Sequence, residues 1–413
     1  MQLVEQHIIK KTSPMFKHID NMTFRSKNLY NATLYAVRQH FFKTETYINY
    51  YNLQKEFQNN KQPDYVALPA KISQWVMKMV DYNFKSFFHA HQAYKQCPSK
   101  FTGRPKLPKY LDKEKGRYLL TFTSQAISKK SLDKEGLLKM SGLDGVTIKT
   151  KLYFNQINQV RIIKDNDSYV IEIVYSVPDT ELKEDNNKYA SIDLGVKNLM
   201  TVSFNDRKPL IINGKPLKSI NQYYNKKKAE FQSQQKNNNR EINKRKIRTL
   251  TNKRNNKVKD YLHKASRFLV NHLVSNQINT LIIGKNNGWK QDINHGDKNN
   301  QNFVQIPFNM LISMLSYKCG MAGINVILQE ESYTSQASFL DNDFIPVYKK
   351  GNTEEYKFSG RRIKRGLYKI SDGRKINADV NGSLNILRKA IPNVKFTDGI
   401  EVSSTPVVFN ITK

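Results

Sequence analysis

The sequence predicts a multidomain α+β protein: a small β-barrel or sandwich interrupted near its start by a helical domain, then an α/β domain carrying a basic helical insertion. Three observations carry this. A strand-like alternation at the amino end, VEQHIIKK, resumes only after residue 110; the stretch between has a helical period; and after ELKEDNNK (Glu181–Lys188) apolar strands alternate with helices.

Met15–Lys43 reads as a helix because Phe24, Leu29, Leu34, Val37 and Phe41 recur at helical intervals, and Tyr51–Asn59 and Leu68–Gln96 follow as two more. The Pro-broken, basic GRPKLPKY (Gly103–Tyr110) closes this region. RYLLTFTS, GVTIKT, QVRIIKD and SYVIEIVYSV then read as short strands separated by the turn signals DND and DG, and a domain boundary is expected near residue 186.

Composition narrows the partners. With 68 Lys+Arg against 35 Asp+Glu in 413 residues, the formal charge of +33 calls for a large polyanion. Nucleic acid fits best: neutralised phosphates release counterions, and 22 Tyr and 21 Phe supply faces for unpaired bases. A basic ribosome-associated or membrane-surface protein is the plainer alternative. No apolar run approaches the ~20 residues that span a bilayer and no secretory leader is visible in Met1–Ser13, so a cytosolic protein is expected. Cys97 and Cys319 are isolated and form neither a disulfide framework nor a metal knuckle.

In the second domain, KYASIDLGVKNLMTVSFNDRKPLIING reads as three strands, the first ending in Ile192-Asp193, the others at Leu199–Phe204 and Pro209–Ile212. The turn at Gly195 brings the second strand back beside the first, as an RNase H-like sheet begins. From Lys218 to Arg267 there are sixteen Lys/Arg and three Asp/Glu, a basic helical arm with a break at Asn237–Asn239. Such a run is either a solvated face or, as favoured in this chain, a phosphate-contacting one. A helix at Asp260–Asn276, a strand at Asn279–Lys285, a helix at Pro307–Met321 and a strand at Ile324–Glu330 follow. NADVNGSLNILRKA then opens a helix with Asp379 at its start, Val380, Leu384, Ile386 and Leu387 on its apolar face, and Asn377 and Asn381 around the acid. Phosphodiester hydrolysis by two Mg²⁺ ions ~4 Å apart asks for such carboxylates, and for a third beside Asp193 and Asp379.

SIDLGVKNL, LIIGKNNGWKQ, ESYTSQASFLD, SGRRIKRGL and NADVNGSLNILRK, in this order over about residues 188–392, resemble the C-terminal half of TnpB proteins. That family consists of RNA-guided DNA endonucleases related to type V CRISPR effectors. The resemblance implies a wedge β-barrel (residues 1–14 and 101–185) around a helical recognition domain (15–100). A split RuvC domain would follow as 186–331, with the arm at 218–267, and 376–413, interrupted by a basic insertion at 332–375.

Carried over residue by residue, Asp193 matches the family's first aspartate and Asp379 its last. The middle acid departs from the pattern, since Gly284 and Lys285 stand where most members have an apolar-Glu-Asp string. Glu331 ends the next strand, forty-seven residues on, and parallel neighbours end at one sheet edge. A branch of the family is similar in relocating this glutamate, so Glu331 is preferred over Glu330 as catalytic residue and metal ligand with Asp193 and Asp379. Many members also carry a four-cysteine zinc ribbon; here TSQAS places Ser335 and Ser338 with no cysteine nearby, and zinc is not expected.

The resemblance implies a transposon-encoded enzyme that takes a guide RNA from the transposon end. It would cut target double-stranded DNA beside a short flanking motif at one Mg²⁺-dependent site, as a cytoplasmic prokaryotic monomer acting on the nucleoid. Candidate nucleic-acid contacts are Arg104 and Lys106 before the barrel strands, Lys244, Arg245, Arg248, Lys253 and Arg254 on the arm, and Arg361, Arg362 and Arg365 in the insertion. The insertion, Arg361–Lys375, holds seven basic residues and one acidic, and is either a strand guide or an ordinary exposed loop. Two other functions remain: an RNase H-like transposase, whose last acid would be a glutamate, and a nuclease-dead RNA-guided repressor or transposition regulator.

Overall fold

The computed structural model describes residues 1–234, 240–286, 301, 303–348, 354–397 and 405–411. The expected break at Asn237–Asn239 and the end of LIIGKNNGWKQ lie outside them. Two compact units divide the chain, Met1–Pro178 and Asp179–Lys413.

In the first unit, β1 (Gln2–Lys10) is followed by α1 (Met15–Thr44), α2 (Tyr50–Asn59), α3 (Pro63–Val66) and α4 (Ala70–Gln96). Leu29, Leu34 and Val37 of α1 share one buried core with Ile72, Val76 and Val80 of α4, while Phe41, expected on the same apolar face, is 48% exposed. Strands β2 (Leu120–Thr123), β5 (Ile157–Asp165) and β6 (Ser168–Ser176) join β1 in the order β1-β6-β5-β2, all antiparallel. Helix α5 (Lys129–Glu135) and the hairpin of β3 (Leu137–Lys139) and β4 (Thr147–Lys149) stand apart from this sheet. The expected barrel is therefore an open four-stranded sheet among the described residues, its edges β1 and β2 unjoined. Alternation gives the strands but not the pairing of their edges.

The second unit is built on six strands in the order β11-β10-β7-β8-β9-β15. Strands β7 (Tyr189–Leu194), β8 (Asn198–Phe204) and β9 (Leu210–Asn213) form an antiparallel meander; β10 (Thr280–Gly284) runs parallel to β7 and β11 (Asn325–Gln329) parallel to β10. Helices α6 (Lys215–Gln234) and α7 (Arg240–Ser275) form the basic arm, and the helix expected at 260–276 is the end of α7, since no Gly or Pro interrupts it. The apolar side of α7 (Leu262, Leu269, Leu273) and α8 (Phe308–Met321) cover one sheet face, burying Ala190, Ile192, Leu281 and Ile283. The opposite parity, Tyr189 and Ile282, is covered by Ile386 and Leu387 of α9 (Ala378–Ala390). Between β11 and α9 lie β12 (Arg361–Lys364), β13 (Leu367–Lys369) and β14 (Lys375–Asn377), an antiparallel three-stranded sheet; β15 (Val407–Phe409) pairs parallel with β9. No helix among the described residues is long and apolar enough to cross a membrane.

One buried cation gives this core a pH dependence. Lys318 of α8 is 3% exposed and donates from Nζ to Ser266 Oγ (2.6 Å) and the His263 carbonyl (2.8 Å) on α7. Burial, with Arg267 nearby, pushes its ammonium from the ordinary 10.5 down to about 8. The folded state thus disfavours the charged form, a penalty fully present below pH 8 that disappears as pH rises toward 10.5. The buried Cys319 thiol, raised from 9.0 to about 12, opposes this by losing stability over the same range, so the effect is read as a difference: urea titrations at pH 7.5 and 10 are expected to show wild type gaining up to about 3 kcal/mol relative to Lys318→Met.

Candidate active site

Parity along the strands places the first two acids. Ala190 and Ile192 face the α7 side, so Asp193 projects toward α9. One step beyond the Ile283–Ile192 pair, Gly284 stands laterally beside Asp193 on the same face. A Cβ at Gly284 would lie 2.5 Å from Glu331 Oε2 and 2.6 Å from Ile386 Cδ1. The carboxylate of Glu331 occupies the space a side chain at 284 would need. A second glycine does the same for Asp193: a Cβ at Gly382, one turn after Asp379 on α9, would lie 3.2 Å from Asp193 Oδ2.

Asp379 is the second residue of α9, where Asn377 caps the helix by accepting from the Asp379 and Val380 amides (2.9 and 3.2 Å). Buried polar staples fix this helix over the sheet. Ser191 Oγ donates to the Ser383 carbonyl (2.7 Å) and Ser383 Oγ returns to the Ser191 carbonyl (3.0 Å). Asn381 donates to the Ala337 carbonyl (2.8 Å) and accepts from the Phe339 amide (2.9 Å), and Asn385 donates to the Thr334 and Ala337 carbonyls (2.9 and 2.7 Å). The loop after Glu331 is thereby stitched to the helix that carries Asp379. In an otherwise apolar helix, Asn381, Ser383 and Asn385 were the visible signal for these staples.

Asp193 senses the other two acids. Burial pushes the Asp193 carboxyl well above the usual carboxylate range, and the negative charges of Glu331 and Asp379 push it further against the pull of Arg362. Burial and then neighbouring Glu330 raise Glu331 to about 7. Burial would raise Glu330 too, but Lys389, whose Nζ lies 2.6 Å from its Oε2, and Ser332 bring it below the ordinary value. Glu330 is thus bound to Lys389, which also holds the Ser332 and Pro346 carbonyls (both 3.1 Å).

Asp379 is held by two donors that sequence reasoning did not place. Asn198 Nδ2 donates to Oδ2 and Arg362 Nη2 to Oδ1, each at 2.8 Å. Among the described residues no three His, Cys, Asp or Glu groups stand close enough to hold a metal ion as placed. The guanidinium takes the side of Asp379 that a cation would need. The donors themselves, three carboxylates of which one is flanked by an amide, are the hard oxygen set that suits Mg²⁺.

The insertion is positioned by two aspartates. Asp343 accepts from the Ser338 and Ser359 amides (2.7 and 3.0 Å) and the Ser359 hydroxyl (2.5 Å), and Asp341 from the amide (3.2 Å) and hydroxyl of Ser371. Every residue of β12 is exposed. Arg361 and Arg365 are exposed there, whereas Arg362 is paired with Asp379. On the arm, Lys244, Arg245 and Lys253 are exposed and Arg248 is half-buried. Arg254 is turned inward: it donates to Asn221 Oδ1 (2.8 Å) and the Gln305 carbonyl (2.7 Å), with its guanidinium 5.7 Å from the Tyr224 ring centroid. It pins α7 to its surroundings, a role a count of charges does not distinguish from phosphate contact. Arg104 and Lys106 are exposed in the first unit.

Comparison with known proteins agrees with this architecture. A family model described as a probable transposase, OrfB_IS605, matches residues 172–290, and one described as a Cas12f1-like TNB domain matches residues 308–386. The solved structure of a Cas12f1–sgRNA–target DNA complex is similar in fold, with TM-score 0.50 and 13% identity over 89% of this chain and 81% of that one. A CRISPR-Cas12f ternary complex matches at TM-score 0.38 and 15% identity over 92% and 82%. No curated protein matches the sequence. Residues 172–290 are thus similar to OrfB-type probable transposases and residues 308–386 to Cas12f1-like TNB domains, and the chain as a whole is similar in fold to Cas12f1. Over these residues the chain is similar to TnpB proteins.

Proposed function

We propose that the protein is a transposon-encoded, RNA-guided, Mg²⁺-dependent endonuclease that cuts double-stranded DNA beside a short flanking motif at one RuvC-like site. The observation that carries this is the placement of the acids at one end of the six-stranded sheet: Glu331 seated over Gly284 beside Asp193, and Asp193 against Gly382 of the helix that Asp379 begins. On this reading the first unit comprises a wedge at 1–14 and 101–185 around a recognition domain at 15–100. The second carries a split RuvC domain with the insertion at 332–375. Guide RNA and target DNA occupy the basic surfaces, and base pairing reads the target.

Asp193, Glu331 and Asp379 would hold the ions, Asp379 after release from Arg362. Divalent ions there supply the Lewis acidity that hydrolysis of a phosphodiester needs. Asn198 keeps the Asp379 carboxylate oriented. Arg361 and Arg365 draw the strand's phosphates along β12, and Glu330 is kept from the site by Lys389. A second reading, an RNA-guided DNA-binding repressor without cleavage, is favoured by one observation, the Arg362–Asp379 ion pair that closes the acid.

The protein purified with RNA transcribed from its own locus, incubated against a plasmid library carrying a guide-matched target beside randomised flanks, separates the two. Linearisation of a subset with Mg²⁺ and none with EDTA is expected. Guide-dependent binding with no cutting would leave the repressor.

A further inference from the structure

The turn that follows Glu331 holds an aromatic residue where the backbone resists one. Thr334 donates its amide (3.3 Å) and hydroxyl (2.8 Å) to the Glu331 carbonyl, closing a four-residue turn. Its third residue, Tyr333, lies at φ +63°, a left-handed conformation in which a bulky side chain is strained and Gly or Asn is usual. Strain of this kind costs about 1 kcal/mol or more, persists only where the surroundings fix it, and gathers at functional sites.

What the strained residue presents is a ring. Tyr333 packs edge-on to Tyr356, centroids 5.3 Å apart, and against Phe358 at 6.3 Å. All three rings are half-buried and keep exposed surface. Two residues before Tyr333 is Glu331. Three residues after Phe358 begins β12, exposed throughout, with Arg361, Arg362, Lys364 and Arg365 in a run of five. An aromatic surface flanked along the chain by Glu331 on one side and a basic strand on the other is apolar where its sequence neighbours are charged, which suits the base of a nucleotide whose phosphates follow the arginines.

We propose that Tyr333, backed by Tyr356 and Phe358, is a stacking shelf for an unpaired base of the DNA strand approaching the acids. The inference rests on the nuclease reading only for the fate of that strand. The ring supplies a sequence-tolerant contact, since every base has a face to stack. It holds the nucleotide flat while the backbone passes Arg361 toward Glu331.

The test uses the full-length protein in EDTA, so that nothing is cut, and a single-stranded DNA oligonucleotide containing 2-aminopurine, whose fluorescence falls on stacking. About 0.5 M salt suppresses the phosphate contacts spread over the rest of the surface. Wild type and Tyr333→Phe are expected to quench the probe. Tyr333→Asn, a residue that accepts positive φ, is expected to lose the quench and to bind about ten- to hundredfold more weakly, the worth of one stacked base, with an unchanged or higher Tm. Wild-type quenching in Tyr333→Asn, or a loss of quenching matched by a fall in Tm of several degrees, would overturn the shelf. So would quenching of the same oligonucleotide made as RNA but not as DNA. Because no metal is present, failure here leaves the nuclease reading to be judged by Mg²⁺-dependent cutting, and the converse.

Discussion

Asp193→Asn is expected to abolish cutting and to make the protein more stable. The two effects have one cause. The Asp193 carboxyl is buried beside two further carboxylates, and both burial and repulsion disfavour its charge. An amide of the same shape removes the charge and leaves the packing against Gly382. Stabilisation of about 1 kcal/mol, within the usual yield of relieving an active site, corresponds to a rise in Tm of about 2–4 °C for a unit this size. On the proposed nuclease reading the same change removes a ligand from ions that contribute several kcal/mol to the transition state; at about 1.4 kcal/mol per decade the rate is expected to fall roughly a thousandfold or more. Scanning calorimetry and single-turnover cleavage of a guide-matched duplex in Mg²⁺ read the two sides. A variant that melts lower, or cuts at the wild-type rate, removes Asp193 from the role assigned to it.

A methyl group at residue 284 is expected to damage both cutting and stability, through Glu331. The added carbon of Gly284→Ala would lie 2.5 Å from Glu331 Oε2 and 2.6 Å from Ile386 Cδ1, so both the carboxylate and the buried Ile386 side chain must shift. Overpacking of this kind costs about 1–3 kcal/mol, and a displaced ligand costs rate as well. Cleavage is expected to fall by at least about tenfold, with Tm lowered. The decisive measurement is the double-mutant cycle on stability. In a Glu331→Ala background one of the two collisions is gone, so Gly284→Ala should cost at least about 0.5 kcal/mol less than in the wild type. Strict additivity of the two changes would mean that Glu331 does not sit over Gly284 in solution.

The strands and helices that carry the acids were readable because burial writes a period into them: the parity of YASID puts Asp193 opposite Ile192, and Val380, Leu384 and Leu387 give α9 its apolar face. Proposing Glu331 drew on the rule that parallel neighbours end at one sheet edge and, for the choice over Glu330, on the resemblance to a branch with a relocated glutamate. What stayed hidden was pairing at a distance. Nothing periodic links Arg362 or Asn198 to Asp379, Lys389 to Glu330, or Arg254 to Asn221, and each of these contacts is a single polar choice made by the tertiary fold. The open edge of the first sheet was hidden for the same reason. Alternation tells which way a side chain faces, not which strand lies beside it.

The interlock of Ser191 with Ser383 joins residues 192 positions apart and lies between the strand of the first acid and the helix of the last. During synthesis the ribosome releases β7 long before α9, and at roughly 5–20 residues per second the interval is on the order of ten seconds or more. Until α9 has emerged, Asp193 has neither the helix that covers it nor the acid at that helix's start. A chain arrested or truncated before residue 379 therefore carries the basic arm with no means of completing the acid cluster. The newborn protein is armed last.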